Sequence, residues 1–230
     1  MTFSVLTFDR KTGIYAAGAA TGSLCVGGWV LRGDIESGLV ASQGTAPSTF
    51  WRDDVLRAMY AGDAAPDAVA RVTRQDAGRD HRQLTALDGS GTGAGFTGAQ
   101  SVPYAGHVVF DGLVVAGNML TSDQVLRAMV DAAQRPWTDP AQRILTVLQQ
   151  AQAVGGDTRG LLSAALLVLR PDHPPLDLRI DHAENPVGAL RTLCEKAHQS
   201  PYHDWLDVVP VRDDKTRSPQ AAPAVDRPKP

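Results

Sequence analysis

Residues 16–28, AAGAATGSLCVGG, constrain the fold of this chain more than any other segment. Side chains this small give a strand little bulk of its own, so neighbouring elements must approach it closely on both faces. A strand covered on both faces belongs to an inner layer of a layered domain. The alternating apolar run of residues 3–8 precedes it. With residues 14–20 that run reads as a hairpin around Asp9-Arg10-Lys11-Thr12-Gly13, where aspartate and glycine supply the turn chemistry.

The rest of the chain reads as clustered strands alternating with paired helices. A short strand is expected over residues 38–42. Val55, Leu56, Met59 and Tyr60 then repeat at helical spacing up to Gly62, and a second helix runs from about residue 66 to 75. Residues 82–87 and 93–97 read as a hairpin across Asp88-Gly89-Ser90-Gly91, and 108–110 with 113–116 as another across Asp111-Gly112. Thr121 and Gln124 fit a capping box that opens a helix carrying Val125, Leu126, Met129 and Ala132 on one face. A further helix starts near Pro140 and ends at Gly155-Gly156. The run 161–169 is a buried strand, 176–180 its partner, and Asn185-Pro186 starts a last helix. This order is not β-α-β alternation. It predicts an α+β protein: a four-layer αββα sandwich of two antiparallel sheets between helical layers, as one domain over residues 1–212. The polar, proline-rich residues 213–230 are expected to form a disordered tail.

Several function classes are disfavoured. A net charge of −3 with scattered Lys and Arg gives no electrostatic footprint for nucleic acid. No apolar stretch reaches the roughly 20 residues of a membrane helix, and Asp9, Arg10 and Lys11 interrupt any signal-like start. A cytoplasmic protein is expected. Cys25 and Cys194 are isolated, and none of the six histidines forms a ligand pair, so neither a metal nor a cofactor is expected. Gly93-Ala94-Gly95-Phe96-Thr97-Gly98 matches GxGxxG, but Pro103 and the preceding residues cannot continue a helix. These glycines read as hairpin and sheet-packing residues rather than a dinucleotide fingerprint.

The start Met1-Thr2-Phe3-Ser4 carries the sharpest chemical signal. A small second residue lets the initiator methionine be trimmed. That leaves a hydroxyl beside a free α-amine, whose pKa of roughly 8 suits a base near neutrality. Such a residue can attack an amide carbonyl with its own amine as base. Thr2 and Ser4 are two residues apart and project from the same strand face. Gly117 and Asn118, at the end of a strand, are candidates for donors to a developing oxyanion, although a plain strand-to-helix turn has the same sequence. Asp157, in Asp157-Thr158-Arg159-Gly160, reads as a structural ion pair or a pocket residue, and His81 as a solvated turn histidine or a pocket residue. His107 reads as a strand-edge residue.

These pieces occur together. The start Met1-Thr2-Phe3-Ser4, Arg79-Asp80-His81-Arg82-Gln83, Thr97-Gly98, Gly106-His107, Gly117-Asn118-Met119-Leu120, Gly155-Gly156-Asp157 with Arg159, and the strand from Ser163 to Val168 follow in that order. Over roughly residues 1–195 the chain resembles the DUF1028 family, which is regarded as having the N-terminal nucleophile hydrolase fold. The resemblance leaves the activity poorly defined; the leading reading is hydrolysis of a small amide or related C–N bond. Thr2 would be nucleophile, Gly117 and Asn118 would form the oxyanion hole, and Thr21, Gln43, His81 and Asp157 would line the substrate pocket. Gly22 stands where members of the family often carry a basic residue. A non-catalytic ligand-binding or scaffold protein with the same sandwich is the alternative reading. A homodimer is expected to cover the apolar edge strands.

Overall fold

The computed structural model describes residues 2–219. Strand β1 (Thr2–Asp9) turns into β2 (Ile14–Thr21), and a short helix α1 (Val26–Trp29) leads to β3 (Leu31–Asp34) and β4 (Gly38–Gly44). Helices α2 (Thr49–Tyr60) and α3 (Ala65–Arg74) precede β5 (Arg82–Asp88), β6 (Gly93–Thr97), β7 (Gly106–Phe110) and β8 (Leu113–Asn118). Helices α4 (Gln124–Ala133) and α5 (Pro140–Ala153) are followed by β9 (Ser163–Leu169), β10 (Leu176–Ile180), α6 (Pro186–Ala197) and α7 (Tyr202–Leu206). The strands form a six-stranded sheet, β10-β9-β2-β1-β8-β7, and a four-stranded sheet, β3-β4-β5-β6, with every pairing antiparallel. The four-layer αββα sandwich is the observed architecture.

Each interface between layers has its own apolar core, and the pleat of the strands sorts residues among them. Along β1, Phe3 and Val5 face α4, α5 and α6, while Leu6 and Phe8 face the second sheet. Along β2, Ala16 and Ala20 take the helical side and Ala17 and Ala19 the inter-sheet side. On β9, Leu166 and Val168 alternate in the same way with Ala165, Leu167 and Leu169. The smaller sheet turns Val40, Leu84 and Ala86 outward onto Trp51, Val55, Met59 and Val69 of α2 and α3. Central strands buried on both faces read as unbroken apolar runs, which is why 16–20 and 163–169 carry so little polarity.

The small residues of β2 allow close approach, as the sequence implies. A Cβ on Gly18 would lie 2.3 Å from Ile144 Cγ2 and 3.2 Å from Leu148 Cδ1 of α5. We therefore expect Gly18→Val to force α5 off the sheet and to lower stability by about 3 kcal/mol, read as a shift of the urea midpoint.

Some local expectations are corrected. Residues 26–29 are helical rather than strand, and β3 and α7 were not anticipated. All three are only four or five residues long, too short to show a period. The capping box at Thr121 does not form: α4 begins at Gln124 with Asp123 at the N-cap and no side-chain cap. Thr121 is held instead by its N–H to Gly156 O, next to the bridge between Leu120 and Asp157. The buried strand starts at Ser163, two residues later than the apolar run. Within the segment expected as a tail, Asp213 N–H bonds Pro171 O, and the Arg217 guanidinium bonds Val209 O and Leu206 O. Residues 220–230 and Met1 lie outside the described residues.

Candidate functional site

Between the sheets, the inward face of each central strand changes from apolar to polar at one end of the sandwich. On β1, Leu6 gives way to Ser4 and Thr2; on β2, Ala17 and Ala19 to Thr21. On β4, Leu39 and Ala41 give way to Gln43; on β5, Leu87 to Thr85 and Gln83; on β8, Val114 to Asn118. Register brings these ends together, since Thr2 is paired with Asn118 and Gln43 with Gln83. All of these polar residues are buried, so their hydrogen bonds decide what they can do.

Gln83, fully buried, is the hub. Its Oε1 accepts from Gln43 Nε2 at 2.6 Å and from Asn118 Nδ2 at 3.2 Å. Its Nε2 lies 2.9 Å from Thr97 Oγ1, 2.9 Å from Gly106 O and 3.0 Å from Gly117 O. Gln43 Nε2 also reaches Thr2 O at 3.3 Å, so the strand end bearing Thr2 is tied to the opposite sheet. Thr2 O is an acceptor only, which fixes the orientation of the Gln43 amide. Thr2 Oγ1 donates to Thr21 Oγ1 at 3.2 Å. Two buried atoms nearby, Gln43 Oε1 and Ser4 Oγ, have no hydrogen-bond partner among the described residues.

The polar end opens into a cavity of about 480 Å³. Thr2, Thr21 and Gln43 form its floor, Leu24, Trp29 and Met119 are prominent in its walls, and Arg159 stands at its side. Met119 adopts φ 58°, just past the end of β8, and lines the cavity from that turn. The wall bearing Trp29 is fixed from behind by Arg52 of α2. Its buried guanidinium donates to Gly28 O at 2.8 Å and Trp29 O at 3.0 Å. Ser163 Oγ secures the neighbouring loop by donating to Ser23 O and accepting from Val26 N–H.

Of the expected pocket residues, the structure brings Thr2, Thr21 and Gln43 to the cavity. Asp157 lies behind the wall: its carboxylate accepts the Gly22 N–H at 2.6 Å and the Arg159 N–H at 2.8 Å, and contacts the Arg159 guanidinium at 3.4 Å. His81 is placed elsewhere, exposed in the single 3-10 turn Arg79–His81 before β5, and it does not line the cavity. Asn118 stands across from Thr2, with its amide donating to Gln83. Gly117 contributes a carbonyl to the same hub. The next three N–H groups of the turn are taken, by Val102 O, Tyr104 O and Gly156 O.

Gln83, Thr97, His107 and Arg159 are additions to the expected set. The signal for Gln83 and Thr97 was a polar residue at an inward position of an otherwise apolar strand. His107 sits on the edge strand β7, as read, but its Nδ1 is 2.8 Å from Thr97 Oγ1 and its ring packs against Gly95. A Cβ there would lie 2.3 Å from His107 Cδ2, which accounts for the glycine. Burial lowers the His107 pKa below the ordinary 6.5, because it disfavours the imidazolium. The unfolded chain then takes up the proton first as pH falls. Stability is fully present above about pH 6.5 and is lost as pH drops through the ordinary value toward the lowered one. We expect the fall in Tm between about pH 7.5 and about pH 5 to be shallower in His107→Asn than in the parent.

The fold and the cavity define an αββα-sandwich protein with a polar pocket at the head of its first strand. The chain belongs to DUF1028, a family of unknown function whose model matches residues 2–190. It is similar to a DUF1028 protein from Silicibacter pomeroyi of known crystal structure, at 49% identity and a TM-score of 0.90, covering 94% of this chain and 98% of that one. A match to eukaryotic HslV from Trypanosoma brucei has 11% identity and a TM-score of 0.44, covering 74% of this chain and 99% of that one. No curated protein matches the chain. Among the described residues, no helix is long and apolar enough to cross a membrane, and no cluster of three or more His, Cys, Asp or Glu could hold a metal.

Proposed function

We propose that the protein hydrolyses a small amide or related C–N bond, with Thr2 as nucleophile once Met1 is removed. The observation that carries this reading is Thr2 itself: a threonine at the head of a buried strand, lining a cavity large enough for a small molecule. In the proposed reaction Thr2 Oγ1 attacks the carbonyl carbon and its proton passes to the Thr2 α-amine. The tetrahedral intermediate collapses as that proton moves to the leaving amine. Water then cleaves the resulting ester, releasing a carboxylate and restoring the hydroxyl. The Thr21 hydroxyl orients Thr2 Oγ1, and Gln43 holds the Thr2 carbonyl. For the oxyanion, the second proton of the Asn118 amide is the proposed donor, because Asn118 is the cross-strand partner of Thr2.

A ligand-binding protein without chemistry is the second reading, and Gly22 favours it. A Cβ at that position would sit 2.5 Å from Gly160 O and 2.8 Å from Asp157 Oδ1, so no basic side chain fits there. Intact mass, before and after treatment with an amide-directed electrophile, separates the two. Loss of the methionine mass and one adduct on Thr2 is the expected result, and retained Met1 without an adduct would leave the binding reading. A homodimer belongs to the same proposal: Val109 and Phe110 are exposed on the edge strand β7. A monomer in sedimentation at micromolar concentration would remove it.

A further inference from the structure

A second cavity, of about 230 Å³, lies between β3, the edge of the smaller sheet, and β9 and β10 at one edge of the larger. Helix α1 parts it from the cavity above Thr2: Gly27 lines the one, Val26 and Trp29 the other. Its floor is apolar and comes from the inter-sheet core, with Leu31, Ala165, Leu167 and Leu169 all buried. Its charged lining is Arg32, Asp177 and Arg179. Asp177 is committed to Arg179, accepting from Nε at 2.9 Å and from Nη2 at 2.6 Å. The stem of Arg179 lies on α1, where a Cβ at Gly27 would be 2.8 Å from its Cγ. Arg52 likewise has Asp53, at 3.0 Å. Arg32 has no carboxylate among the described residues. Its one hydrogen bond there runs from Nη1 to the carbonyl of its neighbour Leu31, at 3.2 Å. Its Nε and Nη2 have no partner among these residues and are open to solvent. Burial of the residue, then the charges of Arg52 and Arg179, push the Arg32 pKa below its ordinary value, against the weaker pull of Asp53 and Asp177. Three guanidinium groups thus share two carboxylates, and the excess positive charge stands over an apolar floor. An anion whose hydrocarbon entered the cavity would supply the missing charge and cover the leucines. At this volume the cavity takes a body of a few carbon atoms, being smaller than the roughly 300–1,000 Å³ of drug-sized sites.

We propose that this cavity is a binding site for a small carboxylate with a short hydrocarbon chain. The carboxylate pairs with the open edge of the Arg32 fork, and the chain lies against Leu31, Leu167 and Leu169. The site is separate from the cavity above Thr2 and does not depend on the hydrolase reading.

The test is a titration, followed by NMR, of the full chain with isotope-labelled leucine methyl groups. The chain carries Thr2→Ala, so that neither probe is turned over. Butyrate should shift the methyl signals of Leu31, Leu167 and Leu169 saturably. It should bind roughly tenfold or more tightly than butyramide, which has the same hydrocarbon and no charge. That preference should shrink as salt is raised. Arg32→Gln should bring butyrate down to the level of butyramide and leave the spectrum of the free protein otherwise unchanged, since the protein loses one hydrogen bond to a neighbouring carbonyl. Arg32→Lys, which keeps the charge but not the fork, should retain part of the preference, and it serves if Arg32→Gln does not fold. Equal binding of acid and amide, or butyrate binding undiminished in Arg32→Gln, would overturn the proposal. So would the absence of a saturable shift at the three leucines, or shifts confined to Leu24, which lines the cavity above Thr2. Electrophile labelling at Thr2 of the parent protein is a separate measurement, so failure of this site leaves the nucleophile reading untouched.

Discussion

Thr2→Ala is expected to abolish labelling by an amide-directed electrophile, with residual reactivity about 10³-fold below the parent or lower, because in the proposed reaction the Thr2 hydroxyl is the nucleophile. Alanine is also small, so removal of Met1 continues and the α-amine stays available. The variant therefore isolates the hydroxyl. Its structural consequence is minor: the one side-chain hydrogen bond lost is that to Thr21 Oγ1, worth about 1 kcal/mol. Thr2→Ser, which keeps the hydroxyl, is expected to retain labelling, and Thr21→Val, which removes the orienting hydroxyl, to fall between the two. Adduct mapping provides the check. Undiminished labelling of Thr2→Ala with the adduct on Ser4 would transfer the role to the neighbouring hydroxyl. Ser4 shares the inter-sheet face of β1 but is more deeply buried, at 1% exposure against 6% for Thr2. That difference is the physical reason for preferring Thr2.

The layered architecture was legible in the sequence because burial on both faces leaves a compositional trace. Residues 16–20 and 163–169 could hardly belong to an exposed sheet, and the hairpins at Asp9–Gly13 and Asp111-Gly112 announce themselves through turn chemistry. Thr2 was legible through its place after the initiator methionine, and it reaches the cavity together with Thr21 and Gln43, two of the pocket candidates. What remained hidden depends on contacts between distant segments. Gln83 becomes the hub only once β5 stands between β4 and β6 and faces β8 across the sandwich. Asp157 reads as a structural ion pair or as a pocket residue, with the structural reading favoured, and the placement of the loop turns its carboxylate onto Gly22 with Arg159 at the cavity. His81 stands in the segment Arg79-Asp80-His81-Arg82-Gln83 that carries the family resemblance, and reads either as a pocket residue or as a solvated turn histidine. The 3-10 turn then points it outward.

Gln83→Leu is expected to lower stability by about 4 kcal/mol, far more than the loss of one ordinary hydrogen bond. The mutation removes an acceptor from Gln43 Nε2 and Asn118 Nδ2, and a donor from Gly117 O, all on buried residues, and from Gly106 O, which is half-buried. Each buried polar group left unpaired costs about 1–3 kcal/mol, and partial relaxation of the two amides brings the sum down. Gln83→Glu should be no better tolerated, because a carboxylate would be buried facing the same two carbonyl oxygens. Urea unfolding gives the stability term, and labelling at low temperature, where the variant is still folded, gives the site term. Both should fall, since Gln43 holds the Thr2 carbonyl only while Gln83 holds Gln43. A loss below about 1 kcal/mol with full labelling would mean that the network carries neither load. A large loss of stability with unchanged labelling of the folded fraction would separate the two roles: Gln83 would then join the sheets, and Thr2 would owe its position to β2 and β8 alone.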